Sequence, residues 1–225
     1  MKIIDTQIRN LYDLEHTIAR DLMESYCYPW EVLAHIEDTI IKIGMQLPKD
    51  EYDHRENNIW IHKTATVFLS AYLGKNVIVG KNAEVRHCAF VRENAIIGEG
   101  AVVGNSTELK NVILFDSVEV PHYNYVGDSI LGYKAHMGAG SITSNVRADK
   151  GLVKIHTEDG DLETGRKKVG AMLGDHAEIG CGSVLNPGTV IGRNSNVYPL
   201  SSVRICVKEN SIYKNQGEIA NKDHK

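Results

Sequence analysis

The sequence predicts an all-β solenoid, a parallel β-helix of hexapeptide repeats preceded by an N-terminal helical segment. Three observations carry that prediction. An apolar residue recurs at every sixth position from Ile61 through Val67, Leu73, Val79, Val85, Val91, Ile97, Val103 and Leu109 to Phe115. Glycine often follows it, as at Gly74, Gly80, Gly98 and Gly104, and small or apolar residues recur with the same period from Ala65 to Ala101. After two interruptions the period returns as Leu173, Ile179, Leu185, Ile191, Val197 and Val203. A period of six matches neither an α-helix nor a simple alternating strand. It matches short strands joined by bends, with three hexads closing a triangular coil whose aliphatics stack on those of the next coil.

Residues 1–58 carry a different pattern. Apolar residues from Leu14 to Met23, and then Val32, Leu33, Ile36, Ile40 and Ile41, recur at helical spacing; Pro29 suits a helix first turn and Gly44 a helix end. Two short helices are expected, either capping the open end of the solenoid or folded along its side. The β-helix is expected over 59–205. Within it Gly80-Lys81-Asn82 and Gly104-Asn105 are bend chemistry, because glycine and asparagine accept positive φ, and they need no bound phosphate. The register breaks first where Pro121 takes the place of the next aliphatic, followed by His122-Tyr123-Asn124-Tyr125, and resumes at Val126, Leu131, Met137 and Thr143. A second, polar excursion covers about 145–168 and contains the turn residues Asp159-Gly160-Asp161. Such excursions from a rigid scaffold are where functional loops occur. Residues 206–225 are expected to give a terminal strand and a polar tail.

The 225 residues hold 25 Lys+Arg against 29 Asp+Glu, a net charge of −4. That balance supplies no overall basic field, so nucleic acid is not an expected partner. The one concentrated basic run is Arg166-Lys167-Lys168. No stretch approaches the ~18–20 apolar residues of a membrane span, and Met1-Lys2-Ile3-Ile4-Asp5 lacks the apolar run of a signal peptide. Cys27, Cys88, Cys181 and Cys206 form neither a Cys-x-x-Cys pair nor a zinc-ribbon spacing. A reduced, cytoplasmic protein without a membrane partner is the expectation. His62, His87, His122 and His136 contain no closely spaced pair, so no metal site is expected.

A solenoid by itself specifies no activity, and chemistry has to come from its interruptions. His122 stands at the first. A neutral imidazole there can take the proton of an amine or hydroxyl as it attacks a thioester carbonyl. The alternative is a histidine that fills a bend or bonds a carbonyl.

The elements Val103-Gly104-Asn105, Glu108-Leu109-Lys110, His122 to Asp128 and Gly138 to Asn145 follow a recognisable order. Through them residues 92–145 resemble the acetyltransferase half of the bifunctional glucosamine-1-phosphate acetyltransferase/N-acetylglucosamine-1-phosphate uridyltransferase, in the hexapeptide-repeat acyltransferase superfamily. The resemblance implies a left-handed β-helix, a homotrimer with sites between neighbouring subunits, and acetyl-CoA as co-substrate. It implies His122 as catalytic base and Glu108 as the carboxylate orienting its ring. Arg92 and Lys110 would hold the phosphate of an amino sugar such as glucosamine 1-phosphate, with Tyr125 and Asn145 beside the sugar. Ala139, through its backbone, and Cys181 would face acetyl-CoA, and N–H groups of Gly138-Ala139-Gly140 would stabilise the oxyanion. Arg166, Lys167 and Lys168 would meet the phosphates of CoA.

Two departures leave the acceptor open: His136 stands at a substrate-binding asparagine of the family and Val146 at a substrate-contacting tyrosine. The implied reaction belongs to UDP-N-acetylglucosamine biosynthesis. The Gly-rich nucleotide motif of the uridyltransferase half is absent from these residues, so nucleotide-sugar synthesis is not expected of them alone. The competing reading is a non-catalytic protein related to the C-terminal domain of sugar nucleotidyltransferases, binding sugar phosphate or oligomerising a partner.

Overall fold

A computed structural model describes residues 1–214 and 218–221. Over these the chain is a left-handed parallel β-helix of about 9 turns with short helices before it. Backbone conformation sets its corners. Residues with positive φ recur in three series: Cys88, Ser106, Tyr123, Gly140, Gly182 and Leu200 on a first edge; Asn82, Gly100, Ser117, Lys134 and His176 on a second; Asn58, Asn76, Asn94, Asn111 and Asp128 on a third. One left-handed residue per corner turns the chain from one flat side to the next, and the three series outline a triangular prism. Asparagine and aspartate enter this conformation more readily than other residues with a side chain. On the third edge they also form a ladder, with Asn58 Nδ2 donating to Asn76 Oδ1 at 3.0 Å and Asn76 Nδ2 to Asn94 Oδ1 at 2.9 Å.

The stacked aliphatics close the interior: Val79, Ile97, Leu114, Leu131, Leu173 and Ile191 form one column of register partners and all are buried. The strict period is displaced by one residue midway. Val91 pairs with Leu109 but Glu93 pairs with Lys110, so Arg92 is the unpaired residue of a bulge. As a result Leu114, not Phe115, stacks on Ile97, and Val120 takes the inward place expected at Pro121. Phe115 is buried instead against Tyr12, with ring centroids 5.2 Å apart.

The N-terminal segment contains the helices Ile8–Leu11, Arg20–Glu24, Pro29–Val32 and Ile36–Gly44, with 3-10 turns at Ile4–Thr6 and Leu14–His16. This is more fragmented than two helices. Pro29 opens its helix, where Glu31 Oε2 accepts from the backbone N–H of Tyr28 at 2.8 Å. Gly44 ends the helix Ile36–Gly44, and the reason for glycine is space: a Cβ there would lie 2.4 Å from the Trp60 ring. The segment lies along one side of the prism. There Trp60, Ile78, Ile96, Ile113, Ile130, Met172 and Val190 are register partners forming an outward apolar stripe, yet every one is buried. Covering each such side chain contributes about 1.5–3 kcal/mol. Polar ties fix the docking: Asn111 Nδ2 donates to Leu33 O at 3.1 Å, and Asp175 Oδ2 accepts from Asp13 N at 2.7 Å.

The excursion after Asn145 carries a two-stranded antiparallel hairpin, Lys154–Thr157 with Gly160–Glu163, turning through Glu158-Asp159. Its base is closed by an antiparallel bridge between Val146 and Lys168. At the far end Ser211–Tyr213 pairs antiparallel with Ile219–Asn221. The rest of the expected tail, residues 215–217 and 222–225, lies outside the described residues.

Candidate active site

The first edge carries His122. The strand Glu119–His122 ends there, and Tyr123 turns the corner at φ 51°, a conformation an aromatic residue adopts only under constraint. The constraint is Asn124. Its buried side chain accepts from the His122 backbone N–H at 3.0 Å and donates to Gly138 O at 2.9 Å and to Ser141 O at 3.1 Å. The bend is thus pinned to the next coil, and the His122 side chain is exposed, with no hydrogen-bond partner for its ring among the described residues.

Successive corners stack directly. Gly140 N donates to His122 O at 2.9 Å, Gly182 N to Ala139 O at 2.8 Å and Leu200 N to Cys181 O at 2.9 Å. His122, Ala139 and Cys181 therefore occupy equivalent places in consecutive coils, about 4.8 Å apart per coil. Within Gly138-Ala139-Gly140, the N–H groups of Gly138 and Gly140 are already committed to Ile179 O and His122 O. Only that of Ala139 has no partner among the described residues, which narrows the oxyanion donors expected in this stretch to one. Beside this edge runs a groove of about 450 Å³ with a largely apolar lining that includes Gly138, Ile179, Gly180, Cys181, Tyr198 and Pro199. His136 also lines it, paired through Nδ1 with Glu178 Oε2 at 2.9 Å, so the structure separates His136 from the other expected sugar-binding residues.

Those residues share the adjoining side of the prism. Glu108 and Tyr125 are register partners. Arg92, freed by the bulge, donates from Nη1 to Glu108 Oε1 at 2.9 Å, and this hydrogen bond raises the arginine pKa further above its ordinary value. Glu108 thus binds Arg92 and does not orient the His122 ring, whose own register partner is Asn105. The expected Glu108–His122 pairing fails within one chain because Ser106 and Thr107, the first of them at the corner, separate Glu108 from Asn105 along the coil.

Tyr125 lies over Gly127, where a Cβ would come within 2.5 Å of the tyrosine oxygen. That oxygen accepts from Asn145 Nδ2 at 3.2 Å. Burial, with Asp128 and Glu108 nearby, raises the Tyr125 pKa, so the phenol keeps its proton as a donor. Asn145 Nδ2 also donates to Asp128 Oδ2 at 2.6 Å, and Lys110 Nζ stands 3.4 Å from both Asp128 oxygens. The structure accordingly joins Tyr125, Asn145 and Lys110 through Asp128, to which the sequence alone assigns no role. Its signal was available: Asp128 continues the asparagine series of the third edge.

Arg166 and Lys167 lie with Lys168 on that third edge, lining a groove of about 490 Å³ with Lys110 and Asp128, and are not among the residues lining the Cys181 groove. Among the described residues no group of three or more His, Cys, Asp and Glu side chains is placed to hold a metal ion. No helix is long and apolar enough to cross a membrane.

Known proteins are similar to this chain over part of its length. A bifunctional sugar-1-phosphate nucleotidylyltransferase/acetyltransferase from Sulfurisphaera tokodaii is 32% identical over 109 residues, covering 48% of this chain and 27% of that protein. The bifunctional protein GlmU of Methanococcus maripaludis is 34% identical over 111 residues, covering 49% of this chain and 27% of the relative. The chain thus spans only about a quarter of the length of these curated relatives. A solved hexapeptide transferase family protein from Anaplasma phagocytophilum is 17% identical, covers 74% of this chain and 80% of its own, and aligns with a TM-score of 0.43. No family model matches the chain.

Proposed function

We propose that the protein is an acetyltransferase that moves the acetyl group of acetyl-CoA to the amine of a sugar phosphate, of which glucosamine 1-phosphate is the simplest example. One observation carries the reading: an exposed imidazole and a backbone N–H, both without a partner among the described residues, lie with Cys181 one above another on a single edge, between an apolar groove and a cationic side. The groove beside Cys181 suits the pantetheine arm of CoA. His122 accepts the amine proton as the nitrogen attacks the thioester carbon, and the Ala139 N–H donates to the oxyanion. Collapse of the tetrahedral intermediate expels the CoA thiolate, which takes up a proton. Arg92 and Lys110 meet the acceptor phosphate, with the phenol of Tyr125 and the amide of Asn145 alongside.

The relatives' names support acetyl transfer and a sugar 1-phosphate context. Leu69, Tyr72, Phe90, Tyr123 and Leu200 are exposed at or beside the His122 edge. An apolar cluster of that kind fits contact with further copies of the chain, giving a homotrimer in which a neighbouring subunit completes each site. Thiol release from acetyl-CoA in the presence of amino-sugar phosphates tests the activity. A protein that binds these ligands and releases no thiol would be a binding protein only. Sedimentation of the purified chain tests the trimer.

A further inference from the structure

Resting on the acetyl-transfer reading, we propose that the acceptor is a diphosphate-linked amino sugar, whose diphosphate is held on the third edge by Arg166, Lys167 and Lys168 with Lys110. The groove there has a volume of about 490 Å³, in the range of small-ligand sites. Its walls come from three parts of the chain that are distant in sequence: Leu33 and Glu37 from the N-terminal segment, Lys110 and Asp128 from the coils, and Arg166 to Lys168 from the excursion.

Charge points to an anion. The two carboxylates in the groove are already engaged, Glu37 by Asn76 Nδ2 at 3.1 Å and Asp128 by Lys110, Asn111 and Asn145. Among the described residues Arg166, Lys167 and Lys168 form no ion pair, and the buried Nε of Arg166 has no partner. Three uncommitted cations thus face one groove on a protein whose net charge is −4.

The segment is also held in place. Thr164 Oγ1 accepts from Arg166 N at 3.2 Å and donates to Val153 O at 2.6 Å; Val169 N donates to Asn145 O at 3.0 Å, next to the Val146–Lys168 bridge. Such fixing reduces the ordering cost of binding. Span favours a second phosphate. From the corner at Tyr123 to Gly127, the register partner of Lys110, the chain runs four residues, about 13 Å at 3.3 Å per residue. Lys110 lines one groove with Arg166 to Lys168, so a diphosphate whose first phosphate meets Lys110 has its second against the basic run. CoA also carries a diphosphate, but the groove suited to CoA lies along a different edge.

The experiment titrates inorganic pyrophosphate, orthophosphate and CoA separately into the full chain and into the double variant Lys167→Gln/Lys168→Gln, both positions being exposed. Pyrophosphate is expected to bind about tenfold or more tighter than orthophosphate at equal ionic strength, and the double variant to lose about tenfold of that affinity with CoA binding unchanged. Equal affinity for the two anions, or an unchanged variant, overturns the proposal. Loss of CoA affinity in the variant also overturns it, assigning these cations to the cofactor. Thiol release measured with an amino-sugar 1-phosphate and with a nucleoside-diphosphate amino sugar separates the two readings. Release with the monophosphate alone overturns the diphosphate proposal and leaves acetyl transfer standing. Pyrophosphate binding with no thiol release from either sugar overturns acetyl transfer while leaving the anion groove in place.

Discussion

Asp128 is the residue on which the cationic side and the third edge both depend, and Asp128→Ala tests that dependence. Its side chain is 3% exposed and that of Lys110 is 16% exposed, so the pair is largely desolvated. Its two oxygens take Lys110 at 3.4 Å each, Asn111 Nδ2 at 3.1 Å and Asn145 Nδ2 at 2.6 Å. Removing one member of a buried ion pair costs about 3–5 kcal/mol, chiefly because the other charge is stranded. Lys110 keeps some access to water, which places the electrostatic loss near the lower end, about 3 kcal/mol. Alanine at φ 48° adds about 1–2 kcal/mol that aspartate escapes in part. The expected total is about 4 kcal/mol for Asp128→Ala. Asp128→Asn keeps an acceptor and the backbone preference, and is expected to lose about half as much. Urea unfolding of both variants beside the parent, followed by circular dichroism, gives the comparison. An alanine variant within about 0.5 kcal/mol of the parent, or an asparagine variant equally damaged, would refute the reasoning.

Two further outcomes follow from the geometry. Gly127→Ala is expected to push the Tyr125 ring off its seat, since the new Cβ would lie 2.5 Å from the phenol oxygen; the loss is about 1–3 kcal/mol in stability together with a raised KM for the acceptor, measured by unfolding and steady-state kinetics. Of the four thiols, Cys27, Cys88 and Cys181 are exposed, whereas burial pushes the Cys206 thiol up to about 12. The sign follows directly: Cys206 stays protonated and unreactive at pH 8 in the folded chain, so a thiol reagent should label the exposed Cys27 rapidly and Cys206 only after denaturant is added.

Much of the scaffold was legible because its signals are local and repeated. The inward aliphatics declare themselves by period, and the bends by glycine and asparagine. Two further signals in the sequence are local. Asn58, Asn76, Asn94 and Asn111 mark one corner of successive coils. The doublets Ile78-Val79, Ile96-Ile97, Ile113-Leu114 and Ile130-Leu131 place an apolar residue on the outside as well as the inside, which requires something to cover that side. The N-terminal segment is what covers it.

What could not be read was non-local. Arg92 looks like any strand residue until the register across the bulge is known, and only that register explains why Glu108 meets Arg92 and not His122. Likewise the run Arg166-Lys167-Lys168 gives no hint in sequence that it returns to Lys110. The stacking of His122, Ala139 and Cys181 was accessible only through family resemblance, because an inserted hairpin separates the last of them from the others.

The central claim is that the imidazole on the first edge removes the acceptor's proton during acetyl transfer. The direct measurement is the rate of thiol release from acetyl-CoA, at saturating acceptor, for the parent chain and His122→Ala, with CoA affinity and assembly size determined on the same samples. The account predicts a fall of about 10²–10⁴ in turnover with CoA affinity and assembly size unchanged. An alanine variant that turns over at the parent rate, or one that loses CoA binding in proportion to its activity, would contradict it.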